Sequence, residues 1–256
     1  IVILPHAPHY VDQYFSHVPV NPFGMGMYKK CDIWMPFLPA TPAQKHLELE
    51  KQLFYSGYPG FDSSWINKNK SKNKSKNKNG ITVLYIGRKF FDKNKIRSDG
   101  CDFVTMDYSD VLNELNAIHD SLVIDNCNYL FVYKPHPSSS MTLVKKVLND
   151  SRINNYKVGN DAIYSFIGCV ELVISPYSTA LFIFAISNIP TIILQSKMMN
   201  DVMIRWKDLS DLYGKMSYFT DIKNIDGVIK DVFNNVNYSK KDIAHLRKYF
   251  PDNNLS

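Results

Sequence analysis

Short runs of hydrophobic, often β-branched residues alternate with segments of helical periodicity from residue 81 onward. The run Ile81–Ile86 ends at a glycine and predicts a buried strand. Hydrophobic residues then recur at spacings of four, three and four between Val111 and Leu122, which predicts an amphipathic helix over 109–122. We therefore expect this region to open with a strand followed by a helix.

The same alternation continues for the next seventy residues. We predict strands over 129–133, 171–175 and 191–194, with helices over 140–149 and 178–186. Strands that alternate with helices in this way pair in parallel, with the helices covering both faces of the sheet. The sequence therefore predicts the α/β class, with a Rossmann-like parallel sheet.

The first part of the chain has fewer clear elements. Strands are predicted at Ile1–Leu4 and 31–37, and a helix over 42–54. The chain opens inside a hydrophobic run without an initiator methionine, so we expect a fragment that lacks upstream residues, or a processed terminus.

A polar tract of Asn, Lys and Ser covers 67–79 and carries no hydrophobic periodicity. It predicts a linker or loop over 67–80, between the end of an N-terminal domain at 1–66 and a second domain at 81–215. Further helices are predicted over 216–256, where hydrophobic residues again recur at helical spacing.

The composition favours a folded protein, because 45% of the 256 residues are hydrophobic and 21% are charged. The net charge of +6 is matched by six lysines of the polar tract, Lys68 to Lys78, so the rest of the chain is neutral. A nucleic-acid partner is therefore not expected.

The four cysteines lack the spacing of a zinc site or a disulfide framework. The apolar stretch 171–194 contains too many polar residues and prolines for a membrane helix.

The junction after the strand at 129–133 carries several groups that bind anions. Lys134, His136 and Ser138 follow the strand directly, and two prolines flank the histidine and stiffen the turn. Ligands of parallel sheets bind beyond the carboxyl ends of the strands. The alternative is that the serines only cap a helix and the histidine is an exposed turn residue.

A second hydroxyl-rich junction follows the strand at 171–175. Ser175, Ser178 and Thr179 precede a hydrophobic helix, whose N-terminus would favour a phosphate. Arg88 follows the first strand of the same sheet and would add a cation at this edge. The alternatives are ordinary helix capping for the hydroxyls and a surface position for the arginine.

These residues occur in an order that resembles the CDP-glycerol glycerophosphotransferases of teichoic acid assembly. The layout is also similar to capsule Kdo transferases and to bacterial sialyltransferases that carry a His-Pro motif for a CMP-activated donor. The residues that carry the resemblance are, in chain order, Gly57, Tyr58, Pro59, Asp62, Lys134–Pro137, Tyr177–Thr179, Phe184, Ala185, Asn188 and Pro190.

The resemblance implies the GT-B architecture of two Rossmann-like domains, a transferase activity and residues 81–215 as the nucleotide-donor domain. It implies that His6 is the catalytic histidine and that Gly57, Pro59 and Asp62 form the interdomain turn. Lys134, His136, Ser178 and Thr179 match the motifs that bind the donor phosphates in these families. Arg88, Ser138 and Ser175, from the same three junctions, are expected to add contacts. The sequence departs from the pattern at Ala7, where a glycine is usual, and at Ile183, where an acid is common.

The expected partners are a nucleotide-activated sugar or polyol donor, linked to CDP, CMP or UDP, and a carbohydrate or polymer acceptor. No Asp-x-Asp pair occurs, so we expect no metal and no cofactor. The expected location is cytoplasmic. Peripheral association with the inner face of the membrane, through the C-terminal tail or the upstream residues expected to be missing, is left open. A UDP-sugar 2-epimerase and a non-catalytic nucleotide-sugar-binding protein remain as alternatives.

Overall fold

The computed structural model describes residues 2–3, 33–34, 62–72, 80–88, 90–91, 106–124, 128–176, 178, 180–195, 214 and 216–234. The chain divides into two compact units. Residues 1–68 together with 242–256 form the first unit, and residues 69–241 form the second. The domain boundaries drawn from the sequence remain predictions.

The described strands of the first unit are short. Strand β1 (Val2–Ile3) pairs in parallel with β2 (Ile33–Trp34), in agreement with the two strands predicted there. The helix predicted over 42–54 lies outside the described residues. Helix α1 (Ser63–Lys72) begins at the end of this part of the chain.

Helix α1 occupies residues 67–72, for which the sequence predicted a linker or loop, so the prediction is wrong there. Its start is stabilised by Asp62, whose Oδ1 accepts a hydrogen bond of 2.9 Å from the amide of Ser64. Ile66 is buried, and the Nζ of Lys70 donates a hydrogen bond of 2.7 Å to the carbonyl oxygen of Ser187. A few tertiary contacts therefore make this polar segment helical although it lacks a hydrophobic stripe.

The second unit is built on a sheet of six parallel strands. Its elements, together with a small two-stranded pair formed by β4 and β5, are in chain order β3 (Ile81–Ile86), β4 (Phe90–Phe91), β5 (Met106–Asp107), α2 (Tyr108–Ile124), β6 (Tyr129–Lys134), α3 (Met141–Asp150), β7 (Tyr156–Val158), a 3₁₀ helix (Ile163–Phe166), β8 (Leu172–Ser175), α4 (Leu181–Ile186), β9 (Thr191–Leu194), β10 (Tyr218–Thr220), a second 3₁₀ helix (Ile222–Asn224) and α5 (Ile225–Asn234).

The strand order across the sheet is β10-β9-β8-β3-β6-β7. The chain starts in the centre at β3, adds β6 and β7 on one side, and then returns to add β8, β9 and β10 on the other. This is the order of the Rossmann fold, and it places the switch point between β3 and β8. Parallel crossovers are right-handed, so α2 and α3 cover one face and α4 covers the other.

One face of the sheet packs against α2, α3 and α5 in a single hydrophobic core. The predicted stripe from Val111 to Leu122 lies in this core, in contact with side chains such as Tyr85 and Phe131. On the other face all six residues of α4 are buried. The predicted Rossmann-like parallel sheet with helices on both faces is thereby confirmed.

The sequence did not predict β4, β5, β7 or β10, and β10 lies in the region for which only helices were predicted, so that prediction is wrong there. Two predicted helices also begin later than expected. Helix α3 starts one residue later than predicted, after Ser140, whose Oγ accepts from the amide of Leu143. Helix α4 starts at Leu181 and not at Ser178, and its N-cap position is taken by Ala180, whose side chain cannot form a capping hydrogen bond. Among the described residues, every helix is too short or too polar to span a bilayer.

Candidate functional site

The three junctions that the sequence singled out lie at one edge of the sheet. The register pairs Ile86 with Lys134 and Tyr85 with Ile174, so β3, β6 and β8 end at nearly the same level. Parallel strands direct their carboxyl ends to the same edge. The structure thus brings together the turns after these strands, on both sides of the switch point.

Arg88 lies across the switch point. Its Nε donates a hydrogen bond of 3.0 Å to the carbonyl oxygen of Pro176, which follows β8. The side chain is partly buried rather than a free surface group. A guanidinium carries five N–H donors in a fixed plane, which suits it to bridge backbone and an anion.

Ser175 is fully buried. Its Oγ lies 2.9 Å from the carbonyl oxygen of Ile86 and 3.0 Å from that of Pro176, and it donates to them. The hydroxyl proton is therefore used to join the ends of β3 and β8. Ser175 therefore links the two strand ends, and its predicted contact with the donor phosphates remains a prediction.

The turn after β6 is organised by His136. The amide of Ser138 donates to Nδ1 of the ring at 3.2 Å, and the hydroxyl of Ser138 lies 2.8 Å from the same atom. A nitrogen that accepts an amide proton carries none itself, so the neutral ring has its proton on Nε2. Both side chains are exposed.

Backbone contacts hold this turn against the end of β3. The amide of Gly87 donates to the carbonyl oxygen of Lys134 at 2.9 Å. The hydroxyl of Ser139 donates to the carbonyl oxygen of Arg88 at 3.5 Å. Lys134, as the last residue of β6, is half-buried at the same edge.

Ser178 precedes α4 and does not cap it. Its Oγ accepts a hydrogen bond of 3.3 Å from the amide of Ala180, and the helix begins one residue later. The predicted helix start at Ser178 is therefore wrong, and the hydroxyl belongs to the turn between β8 and α4. Thr179 lies outside the described residues.

Gly87 allows β3 to end against an aromatic side chain of β6. A Cβ atom at this position would lie 2.4 Å from the hydroxyl oxygen of Tyr133. The Tyr133 side chain is fully buried, and its hydroxyl has no hydrogen-bond partner in the described part of the chain. Any larger residue at Gly87 would displace either the turn or the buried ring of Tyr133.

A buried carboxyl group lies in the core below the same edge. Glu114 of α2 is only 2% exposed, and its Oε2 accepts a hydrogen bond of 2.5 Å from the hydroxyl of Tyr85. The rings of Tyr85 and Tyr133 lie side by side, with their centroids 5.2 Å apart. The core thus contains a cluster of three ionisable side chains, which we call the Glu114 cluster: Tyr85, Glu114 and Tyr133.

Burial raises the pKa of Glu114 to about 8, and the negative charge of Asp110 adds to the rise. The hydrogen bond from Tyr85 and the positive charge of Arg88 act in the opposite direction. Burial also raises the pKa of Tyr85 and of Tyr133 above the ordinary range. At neutral pH the whole cluster is therefore mostly uncharged.

The candidates from the first unit are described only in part. Asp62 is buried and stabilises the start of α1, through Ser64. His6, Gly57 and Pro59 lie outside the described residues. Their predicted roles remain predictions.

Solved structures share this fold. The chain is similar to the wall teichoic acid polymerase TagF, with a TM-score of 0.58 and 13% identity over 97% of this chain and 62% of that one. It is also similar to a UDP-N-acetylglucosamine 2-epimerase from Neisseria meningitidis bound to UDP-GlcNAc, with a TM-score of 0.51 and 11% identity over 88% and 59%. A further UDP-N-acetylglucosamine 2-epimerase has a TM-score of 0.52 and 11% identity, over 85% and 53%.

The fold is that of these GT-B-like enzymes. The chain spans between 53% and 62% of the length of the three structures. No protein-family model and no curated protein matches the sequence.

The Glu114 cluster was not predicted from the sequence, although the sequence carries a signal for it. Glu114 lies three residues after Val111 and four before Ile118, so the helical period that defines the buried stripe includes it. Charged residues are rarely buried without a hydrogen-bond partner. An acid inside a hydrophobic stripe is therefore a sign of a buried polar contact.

The edge as a whole is suited to bind a diphosphate. It offers a guanidinium, a lysine, an imidazole and several hydroxyl and amide groups, all within turns that are fixed by hydrogen bonds to the backbone. Such preorganised donors stabilise an anion without further ordering of the protein. Within the described residues, no group of three or more His, Cys, Asp or Glu side chains is placed to hold a metal ion.

Proposed function

We propose that this chain binds the nucleotide-activated donor in a transferase that moves a sugar or polyol phosphate to a growing surface polysaccharide or teichoic-acid-like polymer. One observation carries the proposal. Arg88, Lys134 and the turn at His136 meet at the carboxyl edge beside the switch point of a Rossmann-ordered sheet. This is the position where sheets of this order bind nucleotides.

Each group has a role in this proposal. Arg88 and Lys134 supply positive charge to the donor phosphates, and His136 donates from Nε2 to a phosphate oxygen. Ser138, Ser178 and Thr179 add hydroxyl donors, while Ser175 keeps β3 and β8 together. The same contacts would stabilise the departing nucleotide. A transferase must stabilise the negative charge that develops on this leaving group.

The solved structures support a nucleotide-linked substrate. One similar enzyme is a teichoic acid polymerase, and another is a 2-epimerase bound to UDP-GlcNAc. The epimerases are nearly as similar in fold as the polymerase, which keeps a UDP-sugar 2-epimerase as the second candidate. Ile183 lacks the acid that is common at this position in both groups, so this residue does not separate the two candidates.

Isothermal calorimetry on the whole protein tests the donor site. CDP-glycerol, UDP-N-acetylglucosamine and a CMP-linked sugar are titrated in turn, with the free nucleosides as controls. We expect at least one of the phosphate-containing ligands to bind and the nucleosides to bind far more weakly. If none of them binds, the proposal is wrong.

Product analysis with the ligand that binds separates the candidate activities. A transferase releases the nucleotide and needs an acceptor for full turnover. An epimerase converts the sugar to its 2-epimer and keeps the nucleotide attached. Tight binding with neither reaction, in the presence of a polymer acceptor, would indicate the non-catalytic alternative.

We further propose His6 as the general base that deprotonates the acceptor hydroxyl. A histidine suits this role because its pKa lies near neutrality. His6→Ala should lower the rate by about 10²–10⁴-fold while nucleotide affinity changes little. His9→Ala and His17→Ala are the matched controls. Loss of activity in only His9→Ala or His17→Ala would assign the role of base to that histidine instead. Full activity in all three variants would exclude each of these histidines as the base.

A further inference from the structure

The Glu114 cluster lies directly beneath the residues proposed to hold the donor phosphates. Tyr85, which donates to Glu114, is the next-to-last residue of β3, three residues before Arg88. Tyr133, next to it in the sheet, packs against Gly87 and immediately precedes Lys134. The cluster therefore supports the ends of both strands from the core side.

The cluster is coupled electrostatically to the edge above it. The positive charge of Arg88 lowers the pKa of Glu114 and of Tyr85, so the guanidinium and the buried carboxyl act on each other through the protein. Charges separated by protein interior are screened far less than charges in water. A negative charge on Glu114 would consequently act on any anion bound beside Arg88.

We propose that Glu114 controls the charge of the donor site: the neutral carboxyl group permits a diphosphate to bind beside Arg88, and the ionised carboxylate weakens that binding. This inference rests on the proposed function, because it concerns the same site. Glu114 is a positioning residue, since it lies below the edge and would act on the ligand through Arg88 and the field of the core. Its hydrogen bond with Tyr85 fixes the carboxyl group in place.

The direction of the pH dependence follows from burial. Glu114 has a pKa of about 8, so its carboxyl group is neutral at pH 7 and loses its proton as the pH rises above 8. Diphosphate affinity should therefore fall through that range. Binding of the anion should in turn make the proton harder to remove, so complex formation near pH 8 takes up protons from the buffer.

The charged groups around α2 differ in their effect on the pKa of Glu114, which sets the expected pH dependence. Within the described residues, the groups that shift the pKa of Glu114 are Tyr85, Arg88 and Asp110, and the carboxyl in turn acts on Tyr133. Helices α3 and α5 also pack against α2, and several of their charged side chains contact other partners. Those contacts include Lys146 over the ring of Tyr108, Asp150 with Tyr108, and Lys230 with Asp226.

Calorimetry at several pH values tests the inference on the whole protein. The probe is CDP-glycerol, or UDP-N-acetylglucosamine if that is the donor that binds. Between about pH 6.5 and about pH 9 we expect the wild type to lose about tenfold in affinity, a size consistent with one charge acting on a diphosphate through the protein. Repeating the titration in buffers of different ionisation enthalpy should show proton uptake near pH 8.

Glu114→Gln keeps the shape and removes the charge. This variant should show an affinity that is nearly constant over the same range, with no proton uptake, and it corrects for any titration of the ligand itself. Asp110→Asn is the matched control, because it removes an exposed carboxylate one turn away on the same helix. The control should keep the loss of affinity at high pH, with its midpoint moved to somewhat lower pH because the charge of Asp110 raises the pKa of Glu114.

Tyr85→Phe provides a second variant in case Glu114→Gln does not fold. It removes the hydrogen bond that stabilises the carboxylate, so the fall in affinity should move to higher pH. Binding without pH dependence in the wild type, or the same pH dependence in Glu114→Gln, would overturn the inference and leave the proposed function intact. Absence of binding at every pH would overturn the proposed function and this inference with it.

Discussion

The Nε of Arg88 donates a hydrogen bond of 3.0 Å to the carbonyl oxygen of Pro176, a residue 88 positions later in the chain. The bond crosses the switch point of the sheet, between the segments that follow the paired strands β3 and β8. It fixes the base of the guanidinium at this edge of the sheet. The strand order of the sheet therefore places Arg88 at the edge where the donor phosphates are proposed to bind.

Arg88→Ala should weaken binding of the nucleotide donor by about 1–3 kcal/mol, because a charge-assisted hydrogen bond to phosphate is lost. Calorimetry on the folded variant measures this. Arg152→Ala is the matched control, since Arg152 forms an exposed ion pair with Asp120 at 2.7 Å on another part of the surface. An equal loss in both variants would show a general effect of charge and would contradict the role of Arg88.

His136→Ala should also weaken donor binding by about 1–3 kcal/mol, as expected for loss of a hydrogen bond to an anion. Ser138→Ala should have a smaller effect, because the amide of Ser138 still donates to Nδ1 and keeps the ring oriented. Donor affinities of the two variants are compared at the same pH. If His136→Ala binds as tightly as the wild type, the histidine does not contact the phosphates.

Glu114→Gln should be more stable than the wild type, and the difference should grow with pH. The folded pKa of about 8 lies above the ordinary value of 4.5, so only the unfolded chain ionises between these values. Stability contributed by the neutral carboxyl is therefore lost as pH rises from about 5 to about 8, by about 3 kcal/mol. Urea unfolding at a series of pH values measures the difference. A constant difference between the variants over that range would show that the carboxyl group titrates normally.

Gly168→Ala should destabilise the second unit by about 2 kcal/mol or more. The residue has a φ of +90°, and a Cβ atom there would lie 3.0 Å from both the Cα and the carbonyl oxygen of Lys70. Gly227→Ala is the matched control: in α5 its Cβ would meet no atom within 4 Å. The control should gain about 1 kcal/mol from its higher helix propensity. Thermal or urea unfolding gives both values, and a neutral Gly168→Ala would mean that this contact with α1 is not maintained.

The sequence by itself determined the class of the fold and most of its elements. The runs at Ile81–Ile86 and Thr191–Leu194 became strands with the predicted bounds, and the stripe from Val111 to Leu122 became the buried face of α2. Such patterns are local, because burying one face of a helix or both faces of a strand requires a fixed period of hydrophobic residues. The three junctions at Arg88, His136 and Ser178 could likewise be found, since each follows a predicted strand.

Only the tertiary structure decided how those junctions are used. The strand order puts the switch point between β3 and β8, and hydrophobic periodicity carries no information about which strands become neighbours. The burial of Ser175, the helix formed by the polar residues before Lys72, and the pairing of Glu114 with Tyr85 all depend on partners distant in sequence. A hydroxyl, a lysine or a carboxyl group has the same neighbours in sequence whether its side chain is buried or exposed. What distinguishes them is desolvation and the hydrogen bonds that compensate for it, and both arise only when the sheet is assembled.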